Sequence, residues 1–166
     1  TTVALRGTGI MGAGMGQNML AAGLDLRVWN RTAEKARPLV DAGATASAEP
    51  ADAVRGADVI VTMLGDAGDV RAVMERAAPG LADGQVWAQM TTVGVAPLAG
   101  LAALAREHGL VFVDAPVLGT RAPAENGQLQ VFAAGPPEVR DRVAPVFDAV
   151  GRETVWLGDD GAEAAA

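Results

Sequence analysis

Cysteine is absent from the 166 residues, and histidine and lysine occur once each, as His108 and Lys35. Without cysteine the chain has no disulfides, no thiolate metal sites and no cysteine nucleophile. A single histidine also argues against multi-histidine metal sites and Ser-His catalysis, so we expect no bound metal. No apolar run reaches the length of about 18 residues that a membrane-spanning helix needs, so we expect no membrane partner.

Basic residues are few, with 13 Lys and Arg against 20 Asp and Glu, and the formal net charge is −7. No basic cluster offsets this charge, which argues against nucleic acid as a partner. Half of the residues are hydrophobic and 20% are charged, which is the composition of a folded chain. The length fits one domain over residues 1–166. Since the sequence has neither an initiator methionine nor a secretory leader, we expect a mature or trimmed piece of a cytoplasmic protein.

Short apolar runs alternate with segments of helical periodicity along the whole chain. Strands are predicted at 2–6, 26–29, 59–64, 86–90, 110–113, 128–134 and 154–157. Helices are predicted at 11–22, 33–42, 50–55, 66–78, 95–108 and 138–150, with a loop at 117–126. This alternation predicts an α/β fold, a Rossmann-like doubly wound and mostly parallel sheet with helices on both faces. Ligands of such sheets bind beyond the carboxyl ends of the strands, so the residues that follow each strand are the site candidates.

The segment that follows the first strand reads Gly-Thr-Gly-Ile-Met-Gly and matches the pattern G-x-G-x-x-G. Gly7 is predicted to form the tight turn, Gly9 to let the backbone approach a diphosphate, and Gly12 to let the next helix pack close to the strand. Amide groups at the start of that helix, where Ile10 and Met11 lie, would face the anion. The alternative is a glycine-rich turn before a core helix, but the strand before it and the helix after it favour dinucleotide binding.

Asn30, Arg31 and Thr32 follow the second strand, at the distance where NAD-binding units carry an acidic residue for the adenosine ribose. Asn30 removes the negative charge that would repel a phosphate on that ribose. Arg31 can pair with the phosphate, and Thr32 offers a hydroxyl while capping the next helix. The alternative is a surface arginine beside an ordinary helix cap. We predict NADP in preference to NAD as the cofactor.

Arg6 occupies the last position of the first buried strand, where an apolar residue is usual. We expect its guanidinium to reach solvent or to pair with a carboxylate, because an unpaired buried charge is costly.

The remaining strand exits resemble the β-hydroxyacid dehydrogenases, a family that includes 3-hydroxyisobutyrate dehydrogenase and the amino-terminal domain of 6-phosphogluconate dehydrogenase. The resembling segments, which span nearly the whole chain, are 7–12, 28–32, 62–64, 90–93 and 114–120. Within this family, residues 119–129 are most similar to the glyoxylate and succinic semialdehyde reductases, which favour NADPH. The resemblance therefore implies an oxidoreductase that interconverts a small β- or γ-hydroxy acid and its aldehyde or keto acid.

The resemblance also implies further site residues. It places Met63, Leu64 and Thr92 along the cofactor, and Thr91, Gly119 and Thr120 against a small carboxylate substrate. Four positions depart from the usual family pattern. Gln89 replaces an aspartate and Thr91 replaces a serine, while Leu118 and Thr120 depart from the common Ser-Gly-Gly of the loop at 118–120. These departures concern the identity of the substrate more than the class of reaction.

The family's catalytic lysine belongs to a carboxy-terminal all-helical domain, just past the segment that matches 158–161 here. The sequence stops before such a lysine, so the resemblance implies cofactor binding without turnover by this chain, and homo-oligomers formed through the second domain. Lys35 is expected on a solvated helix face, and Asp114 is expected to hold the loop that follows it. An imine reductase-type domain and a non-catalytic NADP-binding module remain as alternatives.

Overall fold

The computed structural model describes residues 1–7 and 9–161, and within them nine strands form one sheet. The strands are β1 (Thr2–Arg6), β2 (Asp25–Trp29), β3 (Thr45–Ala46), β4 (Val59–Thr62), β5 (Val86–Gln89), β6 (Val111–Asp114), β7 (Val117–Leu118), β8 (Leu129–Ala134) and β9 (Gly151–Gly158). Thr8, the second residue of the glycine segment, lies outside the described residues.

Seven α-helices connect the strands within the described part of the chain. They are α1 (Ile10–Ala21), α2 (Ala33–Asp41), α3 (Pro50–Val54), α4 (Ala67–Ala77), α5 (Val95–Glu107), α6 (Arg121–Glu125) and α7 (Arg140–Val150). None of these helices combines the length and apolar character needed to cross a bilayer.

The sheet has the order β3-β2-β1-β4-β5-β6-β8-β7, and β9 pairs with β8. The first six strands of this order are mutually parallel. β8 runs antiparallel to β6 and β7, whereas β9 is parallel to β8. The predicted Rossmann-like, mostly parallel sheet is therefore confirmed. Because β2 and β4 lie on opposite sides of β1, a crevice opens at the carboxyl end of β1.

Alternate residues of β1 point to opposite faces of the sheet, and each face packs against its own helices. Val3 and Leu5 join one buried cluster with Met15 of α1 and Leu39 of α2. Ala4 belongs to the opposite cluster, which α3, α4 and α5 cover. Because the central strands β4 and β5 are buried on both faces, every one of their residues is buried and their apolar residues do not alternate with exposed polar ones.

Two parts of the predicted secondary structure were wrong. The loop predicted at 117–126 contains β7 and α6, which are too short to show periodicity in the sequence. Tertiary contacts hold α6, because the Asn18 side-chain amide donates to the carbonyl oxygens of Ala124 at 2.8 Å and Glu125 at 3.0 Å. The two-residue strand β3 was also missed, because both of its residues are exposed and carry no burial pattern.

Candidate functional site

The turn between β1 and α1 requires two of its glycines on steric grounds. Gly7 has φ +109°, and a Cβ placed on it would overlap the carbonyl oxygen of Met63. A Cβ on Gly12 would overlap the carbonyl oxygen of Gly7 in the same way. Gly9 differs, because a Cβ there would meet nothing within 4 Å. The packing of the chain therefore leaves open the side of Gly9 where a diphosphate is predicted to approach.

The start of α1 has the features of an anion-binding helix terminus. Gly9 is its N-cap and supplies no side-chain hydrogen bond, and the first turn contains no acidic residue. The first intrahelical bond runs from the Ala13 amide to the Gly9 carbonyl at 2.8 Å. The amides before Ala13 therefore point out of the helix end, where the helix dipole favours negative charge.

A central cavity of about 370 Å³ lies in front of this helix terminus. Its lining consists of Gly7, Gly9, Ile10, Met11, Gly12, Asn30, Lys35, Met63, Leu64 and Gly65. The structure thus brings together most of the residues that the sequence predicted to contact the cofactor.

Arg31 lines two further cavities at the end of β2. The tryptophan cavity, of about 300 Å³, is bounded by Trp29, Asn30, Arg31, Leu64, Asp69, Ala72, Val73 and Arg76. The edge cavity, of about 340 Å³, shares Trp29, Asn30, Arg31 and Arg76 with it and extends to Ala46 and Glu49. Thr32 lines none of these three cavities. It occupies the N-cap of α2 as predicted, but its hydroxyl makes no capping hydrogen bond.

Arg6 meets neither of the two expectations for it. Its side chain is fully buried, and its Nε and both terminal nitrogens have no hydrogen-bond partner among the described residues. The guanidinium carbon lies 4.8 Å from the centroid of the Trp29 ring. Arg6 and Trp29 are paired positions of the neighbouring strands β1 and β2, which explains this contact. Burial, followed by the charge of Arg76, lowers the pKa of Arg6 to about 9.

Thr91 is held in a buried hydrogen-bond network at the ends of β4, β5 and β6. The Thr91 amide donates to Oε1 of Gln89 at 2.9 Å, and Nε2 of Gln89 donates to the Thr91 carbonyl at 2.8 Å. The Thr91 hydroxyl accepts from the Leu64 amide at 2.9 Å. Thr91 thereby fixes the loop that lines the central cavity. The sequence did not predict this role of Gln89, because it depends on the pairing of separate strands.

The predicted substrate residues differ in their exposure. Thr91 is 3% exposed, so its hydroxyl serves the Leu64 loop, while its neighbour Thr92 is exposed. Gly119 and Thr120 are exposed just before α6. Gly119 has φ +145°, and a Cβ there would press on the side chains of Leu129 and Pro123, so the turn requires glycine. The contacts of Thr91, Gly119 and Thr120 with substrate, and of Thr92 with cofactor, stay predictions.

Lys35 is a site residue that the sequence did not assign. It was expected on a solvated face, and it is indeed exposed, but it lines the central cavity beside Gly9 and Asn30. It also lines a groove of about 620 Å³ between α1, α2 and α6. The sequence feature that could have identified Lys35 as a site residue is its position in the first turn of the helix that follows Asn30.

Asp114 is buried at the end of β6, and its Oδ1 accepts from Nε2 of Gln89 at 3.3 Å. Burial raises the pKa of this carboxyl to about 7, and the hydrogen bond from Gln89 opposes part of that rise. Asp114 therefore contacts the Gln89 that holds Thr91. Its expected role in holding the loop that follows it stays a prediction.

We expect the variant Asp114→Asn to remove a pH dependence of stability. Because the pKa of Asp114 is higher in the folded chain than in the unfolded chain, the folded state binds more protons between about pH 4 and pH 7. Its free energy of unfolding should thus fall as pH rises through that range, by a few kcal/mol. Urea unfolding at pH 5 and pH 8 should show a smaller fall in the variant, whereas exposed Asp148→Asn should behave like the wild type. Equal falls in all three would contradict burial of an ionising Asp114.

Comparisons with known proteins agree with this geometry. Residues 2–158 match the model of the NAD binding domain of 6-phosphogluconate dehydrogenase. The chain is 36% identical to glyoxylate/succinic semialdehyde reductase 2 of Arabidopsis thaliana, over 99% of this chain and 47% of that protein. It is also 36% identical to the NAD-dependent L-serine dehydrogenase of Pseudomonas aeruginosa, over 96% of this chain and 55% of that protein. The chain thus spans about half the length of the curated relatives that it matches.

Solved structures show the same fold. The 3-hydroxyisobutyrate dehydrogenase of Mycobacterium tuberculosis, in a structure with L-serine, superposes with a TM-score of 0.93 at 28% identity, covering 99% of this chain and 57% of that one. A Streptomyces aurantiacus imine reductase superposes with a TM-score of 0.91 at 26% identity, and the match covers 99% of this chain and 58% of that one.

Proposed function

The chain belongs to the family of NAD-binding domains of 6-phosphogluconate dehydrogenase, and from this premise we propose that residues 1–166 form the NADPH-binding domain of a reductase that acts on a small aldehyde acid. The proposed reaction interconverts a β- or γ-hydroxy acid and its aldehyde or keto acid, of the glyoxylate or succinic semialdehyde type. The observation that carries the cofactor assignment is a run of two neighbouring cavities from Gly9 to Arg31, the central and the tryptophan cavity, which share Asn30 and Leu64 in their linings. This run joins an uncapped helix terminus to a cationic side chain.

Each part of the proposed cofactor would meet a group of matching chemistry. The diphosphate would lie against the open side of Gly9 and the amides at the start of α1. Met63 and Leu64 would contact the cofactor through the central cavity, and the Gln89–Thr91 network holds their loop in place. Because the network spans three strands, it fixes that loop before any ligand binds.

NADPH in preference to NADH is proposed from the charge at the end of β2. Asn30 is uncharged, and Arg31 is exposed where it lines two cavities. The hydroxyl of Thr32 is not used as a helix cap. A phosphate on the adenosine ribose would therefore meet a guanidinium and a hydroxyl, with no carboxylate at the position that binds the ribose in NAD-specific units.

NADPH supplies the hydride of the proposed reaction, and a separate group must carry the proton of the substrate hydroxyl. Lys35 is the only lysine in the sequence, and it lines the central cavity beside Gly9, on the phosphate side of the proposed cofactor. Because the resemblance to the β-hydroxyacid dehydrogenases implies a lysine as the proton carrier, we propose that this residue lies outside 1–166. Gly119 and Thr120, which are exposed, are proposed to bind the substrate carboxylate through amides and a hydroxyl that bring no negative charge to it. Thr91, whose own amide and hydroxyl are already hydrogen-bonded, is proposed to support substrate binding by holding the loop of the central cavity in place.

The variant Arg31→Ala tests the cofactor assignment directly. We expect NADPH to bind about 10- to 100-fold more weakly, the effect of losing a charge-assisted hydrogen bond, while NADH changes by less than about threefold. Fluorescence titration of the purified chain with each coenzyme measures both constants. Arg37→Ala, on the exposed part of α2, is the matched control and should change neither. Equal losses for NADPH and NADH would contradict the proposed preference.

A further inference from the structure

Three arginines from separate elements converge at the end of β2. Arg6 lies under the Trp29 ring, and the guanidinium carbon of Arg76 lies 5.0 Å from the centroid of the same ring. Arg76 comes from the last turn of α4 and lines both the tryptophan cavity and the edge cavity. Arg31 lines the same two cavities. We call Arg6, Trp29 and Arg76 the tryptophan cluster.

Positive charge predominates at this cluster. Glu49 pairs with Arg76 at 3.2 Å, and both side chains are more than half exposed. Arg6 has no acceptor among the described residues, and the charge of Arg76 is one of the two causes that lower its pKa. Three guanidinium groups, those of Arg6, Arg31 and Arg76, lie near two carboxylates, Glu49 and Asp69, in this region. The excess of one positive charge is what an anion would neutralise.

The Trp29 ring determines where this charge is presented. Its indole nitrogen donates to the Ala48 carbonyl oxygen at 3.2 Å, which fixes the ring in the wall of the edge cavity that both residues line. A guanidinium group is attracted to the face of an aromatic ring, so this contact favours one conformation of the Arg76 side chain over the others. Arg76, which is 51% exposed, is thus held at the wall of two cavities instead of extending from the helix into solvent.

We propose that Arg76 is a second residue, in addition to Arg31, that selects a dinucleotide with a phosphate on its adenosine ribose. The inference rests on the proposed function, because it assigns a further contact to the same cofactor. Arg6 and Trp29 are positioning residues in this arrangement, since Trp29 carries the Arg76 guanidinium. Two arginines from different elements would clamp the phosphate from two directions, and its charge would offset the repulsion between Arg6 and Arg76.

Titration of Arg76→Gln with NADPH and with NADH tests the inference. We expect about tenfold weaker binding of NADPH and less than about twofold change for NADH, because the charged contact is made only by the extra phosphate. Arg76→Lys should recover part of the loss, since it keeps the charge. The matched control is Arg71→Gln, on the same helix and likewise ion-paired at the surface, which should change neither constant. Adenosine 2′,5′-bisphosphate and 5′-AMP serve as smaller probes with and without the phosphate.

Four results would overturn the inference. Equal weakening of NADPH and NADH by Arg76→Gln would place Arg76 against the adenine ring instead of the phosphate. Unchanged NADPH binding would exclude a contact. Failure of the wild-type chain to bind either coenzyme would remove the proposed function as well, and it would be evident before any variant is compared. Preserved binding of the bisphosphate by Arg76→Gln, alongside lost binding by Arg31→Ala, would leave Arg31 as the only selecting residue.

Discussion

Replacing Gly9 by valine is expected to abolish dinucleotide binding while leaving the chain folded. Gly9 has φ −67° and ψ −171°, which any residue adopts, and its Cβ position is open. The valine side chain would occupy the space through which a diphosphate reaches the amides of α1. We expect the affinity for NADPH to fall more than about 100-fold, because several backbone contacts are lost together. The free energy of unfolding should change by no more than about 1 kcal/mol.

Two other glycines make this prediction specific. Gly94 is the N-cap of α5, with φ −75° and ψ 168°, and a Cβ there would lie 3.6 Å from Pro97 Cδ, an ordinary contact. Gly94→Val should therefore match Gly9→Val in stability but retain NADPH binding. Gly12→Ala, in contrast to both valine variants, should lower the free energy of unfolding, because its Cβ would overlap the Gly7 carbonyl oxygen. Fluorescence titration and urea unfolding of all three measure the two effects, and NADPH binding by Gly9→Val would refute the diphosphate site.

Much of the sheet could be predicted from the sequence because its strands are buried on both faces. Val59 to Thr62, for example, is a run of fully buried residues bounded by helical segments, and it lies beside β1 as β4. The turn at Gly7 and Gly12 could also be predicted, from the spacing of its glycines. The steric demand at Gly12 is local, against the Gly7 carbonyl, whereas that at Gly7 comes from Met63 in a distant part of the sequence. The secondary structure of the segment 117–126 could not be predicted in this way, because α6 depends on Asn18, more than a hundred residues away in the sequence.

The residues of the candidate site likewise fall into those that local sequence indicates and those that depend on how separate strands pair. Residues that follow a strand, such as Asn30 and Arg31, could be selected as candidates from their position, and they do line cavities, although their contacts with a cofactor stay predictions. The partnership of Gln89 with Thr91 could not be predicted, because it requires the register of β4, β5 and β6. For Arg6 the sequence showed a conflict between burial and charge, but its resolution against Trp29 depends on the register of β1 with β2.

Replacing Arg6 by leucine is expected to stabilise the chain. The variant removes a fully buried guanidinium without a hydrogen-bond partner among the described residues, from a position that adjoins the apolar residues on one face of the sheet. The loss of its contact with Trp29, worth about 0.5–2 kcal/mol, offsets part of the gain. Allowing for this loss, we expect the free energy of unfolding at pH 7 to rise by about 2–4 kcal/mol. Urea unfolding measures the change, and Arg6→Lys, which keeps the buried charge, should show no such gain.

The pH dependence of the same variant identifies the cause. Because burial lowers the pKa of Arg6 to about 9 in the folded chain, the unfolded chain binds more protons above that pH. Wild-type stability should therefore rise between about pH 9 and pH 12, so the advantage of Arg6→Leu should shrink there. The sequence has no tyrosine, no cysteine and one lysine, so few other side chains change charge in this range. A destabilised variant, or a gain independent of alkaline pH, would contradict an unpaired buried charge. If the tryptophan cluster selects the phosphate as proposed, Arg6→Leu should also discriminate less between NADPH and NADH. Arg6 would then lower the stability of the chain while raising its specificity for the phosphorylated coenzyme.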